Sequence, residues 1–565
     1  MAYSNSAMLK IARTIRVPIS FLFGAGAIIT AFHWNPDPHN DGYMFTGAIA
    51  FNDNYMPNSG YFAQYGPLSS VVQGLGLNIY GQNLIGLRLF SATLVIASGA
   101  IFCHRIFQRF GSVVASLAWL CWALSGPMGM PWSTIITTNL IVIALSISFK
   151  FDGKKFLLRP NFLILAIQIL IFATLARIHI WLILLCLGTI IVFNKSNLPK
   201  FFIRKLFWVS AANLLIMIIT LNTLGVLRPY IEQSVLWSFS KYASPPLSNI
   251  TGTIWAIPVL FFYLLIFLWL RFGFSRGKIL QSITLITTLL LFCLIFKLAL
   301  SVNTSVAFFS TRNRAILLQR SLYDPAFLLE EFCRKLLYGW DYLVTFSIIF
   351  IFIYYFLQRK INKRNLHFES FIPISFGLGT LTQLYPMNDP THQWMITPII
   401  VLVLVIIWPE ELNTRINFKA TYAIFSILII FLASEFFVEN HEQRYHYRSE
   451  ILKGMTGDRL DSIGVDETLI ALQNFPTDKN KIEFQCRDGL YASANRHFMS
   501  YSYMYVDWGL ETSSKNASAK YVFICNATDK DLARFVDKDW RQVFIKQIID
   551  PFTGHTLSNS LFERT

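Results

Sequence analysis

HWNPDPHNDGYMFTGAIAFNDNYMPNSGYFAQYGPLSSVVQGLGLNIYGQ, residues 33–82, decides how the chain is read. The stretch holds no Lys or Arg, although the chain carries formal net charge +16. It concentrates Asp37, Asp41 and Asp53, His33 and His39, several Asn, and many aromatic, Gly and Pro residues. A bare connector between two membrane helices would be shorter and less polar. An acidic, aromatic-lined loop between two apolar segments is a candidate active site at a membrane surface.

Outward from this loop the chain turns apolar. It is 54% hydrophobic and 14% charged, with mean hydropathy +0.47, which points to a polytopic membrane protein rather than several soluble domains. The positive balance then needs no nucleic acid to explain it, because Lys and Arg gather in cytoplasmic loops. Apolar segments predict thirteen helices at 16–33, 84–102, 112–127, 134–150, 160–176, 179–194, 206–224, 251–270, 279–300, 342–358, 371–385, 395–409 and 420–438. The first follows Lys10, Arg13 and Arg16 but has no small-residue cleavage site after it, so it reads as a retained helix and not a signal peptide.

Loop charge orients the set. Alternate loops hold Arg105/Arg109, Lys150/Lys154/Lys155/Arg159, Lys195/Lys200/Arg204/Lys205, Arg271/Arg276/Lys278, Arg359/Lys360/Lys363/Arg364 and Arg415/Lys419, which with the N-terminal three makes 22 basic residues on one side. The opposite loops hold eight, which places the N-terminus in the cytoplasm and residues 34–83 outside. Residues 1–438 then form a membrane domain. From Glu439 the chain turns polar, with helix-like pieces at 466–474 and 529–535 and strand-like pieces at 481–486, 521–525 and 543–549. Residues 439–565 are therefore expected to form a small extracytoplasmic α/β domain. Outside the cell a Cys486–Cys525 disulfide is allowed, whereas Cys103, Cys121, Cys186 and Cys293 read as packing residues.

Inside the first outer loop, Asn40 or Asp41 can cap a short in-plane helix over about 42–52, stopped by Asn52-Asp53-Asn54. Pro67 suits the first turn of a second in-plane helix over about 67–80. Asp41 has two readings: a helix cap, or a carboxylate in a partly desolvated interfacial pocket that removes a proton as general base. There is no P-loop, no GxGxxG after a strand and no HExxH.

The order of short cytoplasmic tail, first helix, outer loop with an early Asp, in-plane helix, Gly-Pro element and second in-plane helix resembles the GT-C superfamily. Its members are multipass glycosyltransferases that use polyprenyl-phosphate sugars, among them protein O-mannosyltransferases and the lipid A aminoarabinose transferase. The matching residues are Asp41-Gly42-Tyr43, Phe62 to Pro67, Leu87 to Phe90, and later Tyr385-Pro386 with His392. Many members carry Glu directly after the catalytic Asp; Gly42 stands there in this chain.

The resemblance implies that Asp41 is the catalytic base. It also implies a donor whose phosphate needs outer-face cations, for which Arg177 (with His179 close by), Arg312, Arg314, Arg320 and His392 are candidates. His39, Asp53, Tyr61 and Tyr65 are candidates for sugar or acceptor binding, although histidines and tyrosines here also suit plain interfacial anchoring. Arg88 and Lys297 read as snorkelling residues, and Asp37 as a turn residue between two prolines.

The expected activity is inverting sugar transfer from the outer face of a membrane, that of the bacterial inner membrane being the favoured setting, to a glycan, lipid or protein of the cell envelope. Membrane lipids are the other partners, and nucleic acid is not one. No cofactor is called for; a divalent metal ion stays open, without ligand spacing to support it. Two alternatives remain. A glycan polymerase with a diphosphate-linked donor would use the same 312–320 cations. A transporter or flippase of lipid-linked sugars would place its polar groups deep in helices rather than in outer loops.

Overall fold

The computed structural model describes residues 2–34, 36–38, 40–61, 63–124, 131–152, 155–193, 199–236, 368–384, 390–407, 444–475, 482–486, 489–494, 520–527, 529–536, 540–549 and 556–564. The expected helices at 251–270, 279–300, 342–358 and 420–438 lie outside them. So do the 438/439 boundary, His39, Arg312, Arg314, Arg320, Tyr385 and Pro386.

The described helices begin with α1 (Ala2–Ala31), α2 (Asn40–Asn52), α3 (Pro67–Tyr80), α4 (Leu84–Phe110), α5 (Ser112–Leu124) and α6 (Ser133–Ser148). They continue with α7 (Pro160–Ala173), α8 (Ile180–Phe193), α9 (Lys200–Thr223) and a single turn, α10 (Leu227–Tyr230), then α11 (Phe368–Leu381) and α12 (Pro390–Ile407). Among the described residues α4 and α9 are long and apolar enough to cross a membrane; several others are shorter and equally apolar. Buried faces of α1, α4 to α8, α11 and α12 share one core.

Tryptophans set the spacing of that core. Trp119 donates from Nε1 to the carbonyls of Ser20 and Phe21, and Trp122 and Trp394 stack at 5.4 Å while each donates to the other's carbonyl. Gly24 and Gly99 make room for Trp119: a Cβ at either would lie within 2.4 Å of its ring. α9 is different, because most of its apolar surface is uncovered by the described residues.

Two differences from the sequence reading concern polar ends. α4 runs on through Arg105 and Arg109 to Phe110, because nothing stops it before Gly111, whose positive φ of 83° closes the helix. Residues 149–158, read as a helix end followed by a basic loop, instead form an antiparallel hairpin of β1 (Phe149–Asp152) and β2 (Lys155–Leu158), with Asp152 opposite Lys155.

The C-terminal residues form α13 (Arg459–Asn474), α14 (Gly489–Ala494) and α15 (Asp529–Val536) with two sheets. A small hairpin pairs β3 (Arg444–His446) with β4 (Thr456–Asp458). A mixed sheet has the order β5 (Ile482–Gln485), β6 (Tyr521–Ala527), β8 (Thr556–Arg564) and β7 (Trp540–Ile549), parallel only between β5 and β6. A disulfide joins Cys486 to Cys525, with Cα atoms 5.0 Å apart. This part packs on α2 and the start of α4 through one apolar cluster that joins Phe45, Ile49, Leu84 and Leu87 to Leu452, Leu490, Phe523 and Leu561.

Candidate active site

Helix α2 is the spine of the site. The sequence reading assigned its cap to Asn40 or Asp41, but Asp37 does that work: its Oδ1 accepts from Asn40 N at 3.0 Å, while the Asp41 carboxylate reaches back to Asp37 N at 2.7 Å. This reciprocal arrangement is related to the capping box. Pro36 and Pro38 flank Asp37, and prolines hold φ near −65°. Asp41 thus shares in the cap through Oδ2 alone, and its Oδ1 takes no part in it.

At about 100° per residue, α2 turns Asp41, Gly42, Phe45 and Thr46 to one side and Tyr43 and Gly47 to the other. The first side is sealed. Asp41 is fully buried and ion-paired through Oδ2 with Arg88 of α4, which is 1% exposed. Arg88 also donates to the carbonyls of Trp34 (2.6 Å) and Phe32 (3.3 Å) at the end of α1. Oδ1 of Asp41 has no hydrogen-bond partner among the described residues. Burial pushes the Asp41 carboxyl above the ordinary carboxylate range, against the opposing pull of Arg88, with Asp37 adding to the rise.

α14 closes over this side. Thr46 Oγ1 donates to Gly489 O at 2.8 Å, and Leu490 N donates to Pro38 O at 3.2 Å. A Cβ on residue 42 would stand 2.1 Å from Leu490 N, so the approach requires glycine. Gly42, where the family resemblance leads one to expect Glu, is thus fixed by the neighbouring backbone.

On its other side α2 forms a cleft with α3. Tyr43, Tyr61 and Tyr65 wall it, and Gly47, Ser70 and Gln73 lie among its lining residues. Gly66 and Pro67 anchor it. Gly66 has φ of +103° and comes so close to the turn after α7 that a Cβ would meet Leu175 O at 2.3 Å. Leu68 N and Ser69 Oγ then donate to the carbonyls of Leu175 and Ala176 at 3.1 and 3.2 Å.

That docking delivers the next residue, Arg177, to the cleft wall. Its guanidinium lies 4.9 Å from the centre of the Tyr65 ring and donates to Thr134 Oγ1. Tyr65 meets Trp132 edge-on at 5.7 Å, and Trp132 lies 6.0 Å from His392 in the first turn of α12. His179, in the same turn as Arg177, is held neutral: burial first, then the charges of Arg177 and His392, push it down to about 3.

The structure therefore brings Tyr61, Tyr65, Arg177 and His392 to one region and sets Asp41 behind α2. Asp53 closes the C-terminal end of α2, its N–H bonded to Ile49 O, and is not among the cleft residues. His33 uses Nδ1 on Ile29 O within its own helix end. Sequence reasoning missed Arg88 as the partner of Asp41. The signal was available, because an arginine in an apolar helix demands a partner. Trp132, Ser70, Gln73 and α14 carried no comparable signal. Among the described residues no three of His, Cys, Asp and Glu gather closely enough to hold a metal ion.

No family model matches the chain, and no curated protein matches it. Among solved structures it is similar to ArnT from Cupriavidus metallidurans bound to undecaprenyl phosphate, at 11% identity over 97% of each chain with a TM-score of 0.43. It is also similar to the archaeal oligosaccharyltransferase AglB from Archaeoglobus fulgidus in complex with an inhibitory peptide and a dolichol-phosphate, at 12% identity over 97% of this chain and 74% of that one, with a TM-score of 0.46.

Proposed function

We propose that the chain is an inverting glycosyltransferase of the GT-C type. It moves a sugar from an outward-facing polyprenyl-phosphate carrier to a hydroxyl of a cell-envelope glycan, lipid or protein. The observation that carries the reading is the two-sided build of α2: a buried carboxylate with one bare oxygen on one side, and an aromatic cleft beside Arg177 and His392 on the other. Loop charge asymmetry supports an extracytoplasmic loop 34–83, and the Cys486–Cys525 disulfide suits an oxidising compartment.

In the transfer step the acceptor O–H bond breaks and its proton passes to Oδ1 of Asp41. The acceptor oxygen forms a bond to the anomeric carbon as the carbon–oxygen bond to phosphate breaks on the opposite face. The electron pair leaves on the phosphate oxygen, where Arg177 and His392 meet the growing charge. The tyrosines hold the sugar. A carboxyl with a raised pKa is a stronger base than an ordinary one, which favours this proton transfer.

Asp41 is sealed in the described arrangement and faces away from the cleft, so catalysis requires α14 to move off Gly42 and α2 to turn its Asp41 side toward the sugar before the acceptor enters. The C-terminal part then serves as a cover that admits the acceptor. Purified protein supplied with a labelled polyprenyl-phosphate sugar and an envelope extract tests the reading. Transfer by the wild type and its loss in a folded Asp41→Asn variant support it; unchanged transfer by that variant removes Asp41 from the mechanism.

A further inference from the structure

We infer that Arg88 is a positioning residue that occupies Oδ2 of Asp41 and thereby aims Oδ1 at the acceptor hydroxyl. This rests on the glycosyltransferase reading above and goes beyond it by assigning a role to a residue of α4.

The geometry of the pair is one-sided. Arginine and a carboxylate frequently meet as two parallel hydrogen bonds, one to each oxygen. Here Oδ2 takes both Arg88 Nη2 and the N–H of Asp37, while Oδ1 takes no donor among the described residues. The second amino group of Arg88 is engaged elsewhere, on the carbonyls of Phe32 and Trp34. Those carbonyls belong to the end of α1, where main-chain acceptors lack helical partners.

Arg88 is held just as firmly from its own side. α4 begins one turn earlier with Asn83 Oδ1 accepting from Gly86 N at 2.9 Å, and Leu84 N donates to Ile451 O. The guanidinium is thus held by two main-chain carbonyls at the end of α1 and carried on a helix tied down at its start, and the carboxylate inherits that fixed orientation. The charged groups that face Asp41 among the described residues are Arg88 and Asp37; α14 presents Gly489 and Leu490, which carry no charge.

In the transfer step Arg88 stays protonated throughout. It keeps the developing carboxylic acid proton on Oδ1, because Oδ2 remains bound to a cation. Removing the cation leaves a buried carboxylate that takes its proton at higher pH, so the base is disabled over a wider acid range.

The test compares wild type, Arg88→Lys and Arg88→Gln in two readouts on the same full-length preparations. The first is the pH profile of kcat/KM for transfer from the labelled polyprenyl-phosphate sugar. The second is the pH titration of the protonated-carboxyl infrared band that is missing in Asp41→Asn. Arg88→Gln is expected to move both the acid limb and the band upward by about one pH unit or more, and Arg88→Lys by clearly less. A uniform fall in rate, with limb and band unmoved, would overturn the assignment and show a structural role alone. Lys giving the same shift as Gln would also overturn it. If the band moves as expected but the wild type transfers no sugar, Arg88 keeps its hold on Asp41 and the glycosyltransferase reading falls instead.

Discussion

Two buried arginines flank α2, and they are held in different ways. Arg88 is locked to a carboxylate and to two main-chain carbonyls, under a cover supplied by α14. Arg177 meets a hydroxyl and the face of a tyrosine, at the wall of a cleft. On the glycosyltransferase reading, the difference divides one reaction between the two. A guanidinium with a carboxylate partner has its charge balanced within the protein and works by holding that partner. A guanidinium set over a tyrosine ring at a cleft wall stands, on the glycosyltransferase reading, where the phosphate of a donor would arrive.

The comparison breaks most sharply at Asp41. Asp41→Asn is expected to lower transfer by about 10²- to 10⁴-fold, the usual worth of a general base, as measured by product formed per enzyme at saturating donor. Next comes Arg177→Met, which removes a charged contact worth about 1.5–3 kcal/mol. It should weaken donor binding roughly ten- to a hundredfold with a smaller change in kcat, read from initial rates against donor concentration. Equal losses in both variants on both parameters would erase the division of labour.

A third variant sharpens the sealed side. Gly42→Ala places a methyl where the backbone of Leu490 now stands, at a cost of about 1–3 kcal/mol for forced repacking. Thermal unfolding should fall accordingly, and protease should reach α14 sooner. A variant as stable as the wild type would show that α14 is not seated on α2.

These particulars show what the sequence made legible. The two short helices expected at 42–52 and 67–80 were readable because Asn/Asp and Gly-Pro punctuation brackets them, and the structure has helices at Asn40–Asn52 and Pro67–Tyr80. The Cys486–Cys525 pairing was open to reading from two strand ends. β8 was not, because Thr556–Arg564 is rich in Ser and Asn and reads as loop. Its Ser558, Asn559 and Ser560 are buried, and Asn559 is satisfied from the helices packed on the sheet, donating to Thr468 Oγ1 of α13 and Tyr491 OH of α14. For the Asp41–Arg88 pair the sequence signalled that Arg88 needs a partner but not which one, because Asp41 lies 47 residues away.

Two pH-dependent predictions are smaller. In the C-terminal part, Asp466 is held below the usual carboxylate range: burial opposes its charge, but bonds from Tyr445 OH, Arg448 N and Ser449 N outweigh that cost. Its stabilisation is therefore present above the unfolded carboxyl pKa and is lost as pH falls through the lower folded value. Asp466→Asn should cost the C-terminal part about 1 kcal/mol at pH 7 and flatten its acid unfolding curve.

His179 acts on the open side. Below about pH 6.5 the unfolded chain binds a proton that the folded chain refuses down to about 3, so stability falls as pH drops through that window. His179→Gln should remove that slope, a fraction of the roughly 1.4 kcal/mol per pH unit that one proton supplies. An unchanged slope would place the titrating group elsewhere.

The most direct test of the two-sided account is donor retention by Asp41→Asn, measured with a labelled polyprenyl-phosphate sugar alongside turnover in the same preparation. The account expects the variant to hold the donor as tightly as the wild type while releasing almost no product. Undiminished product release, or loss of donor binding in step with turnover, would contradict it.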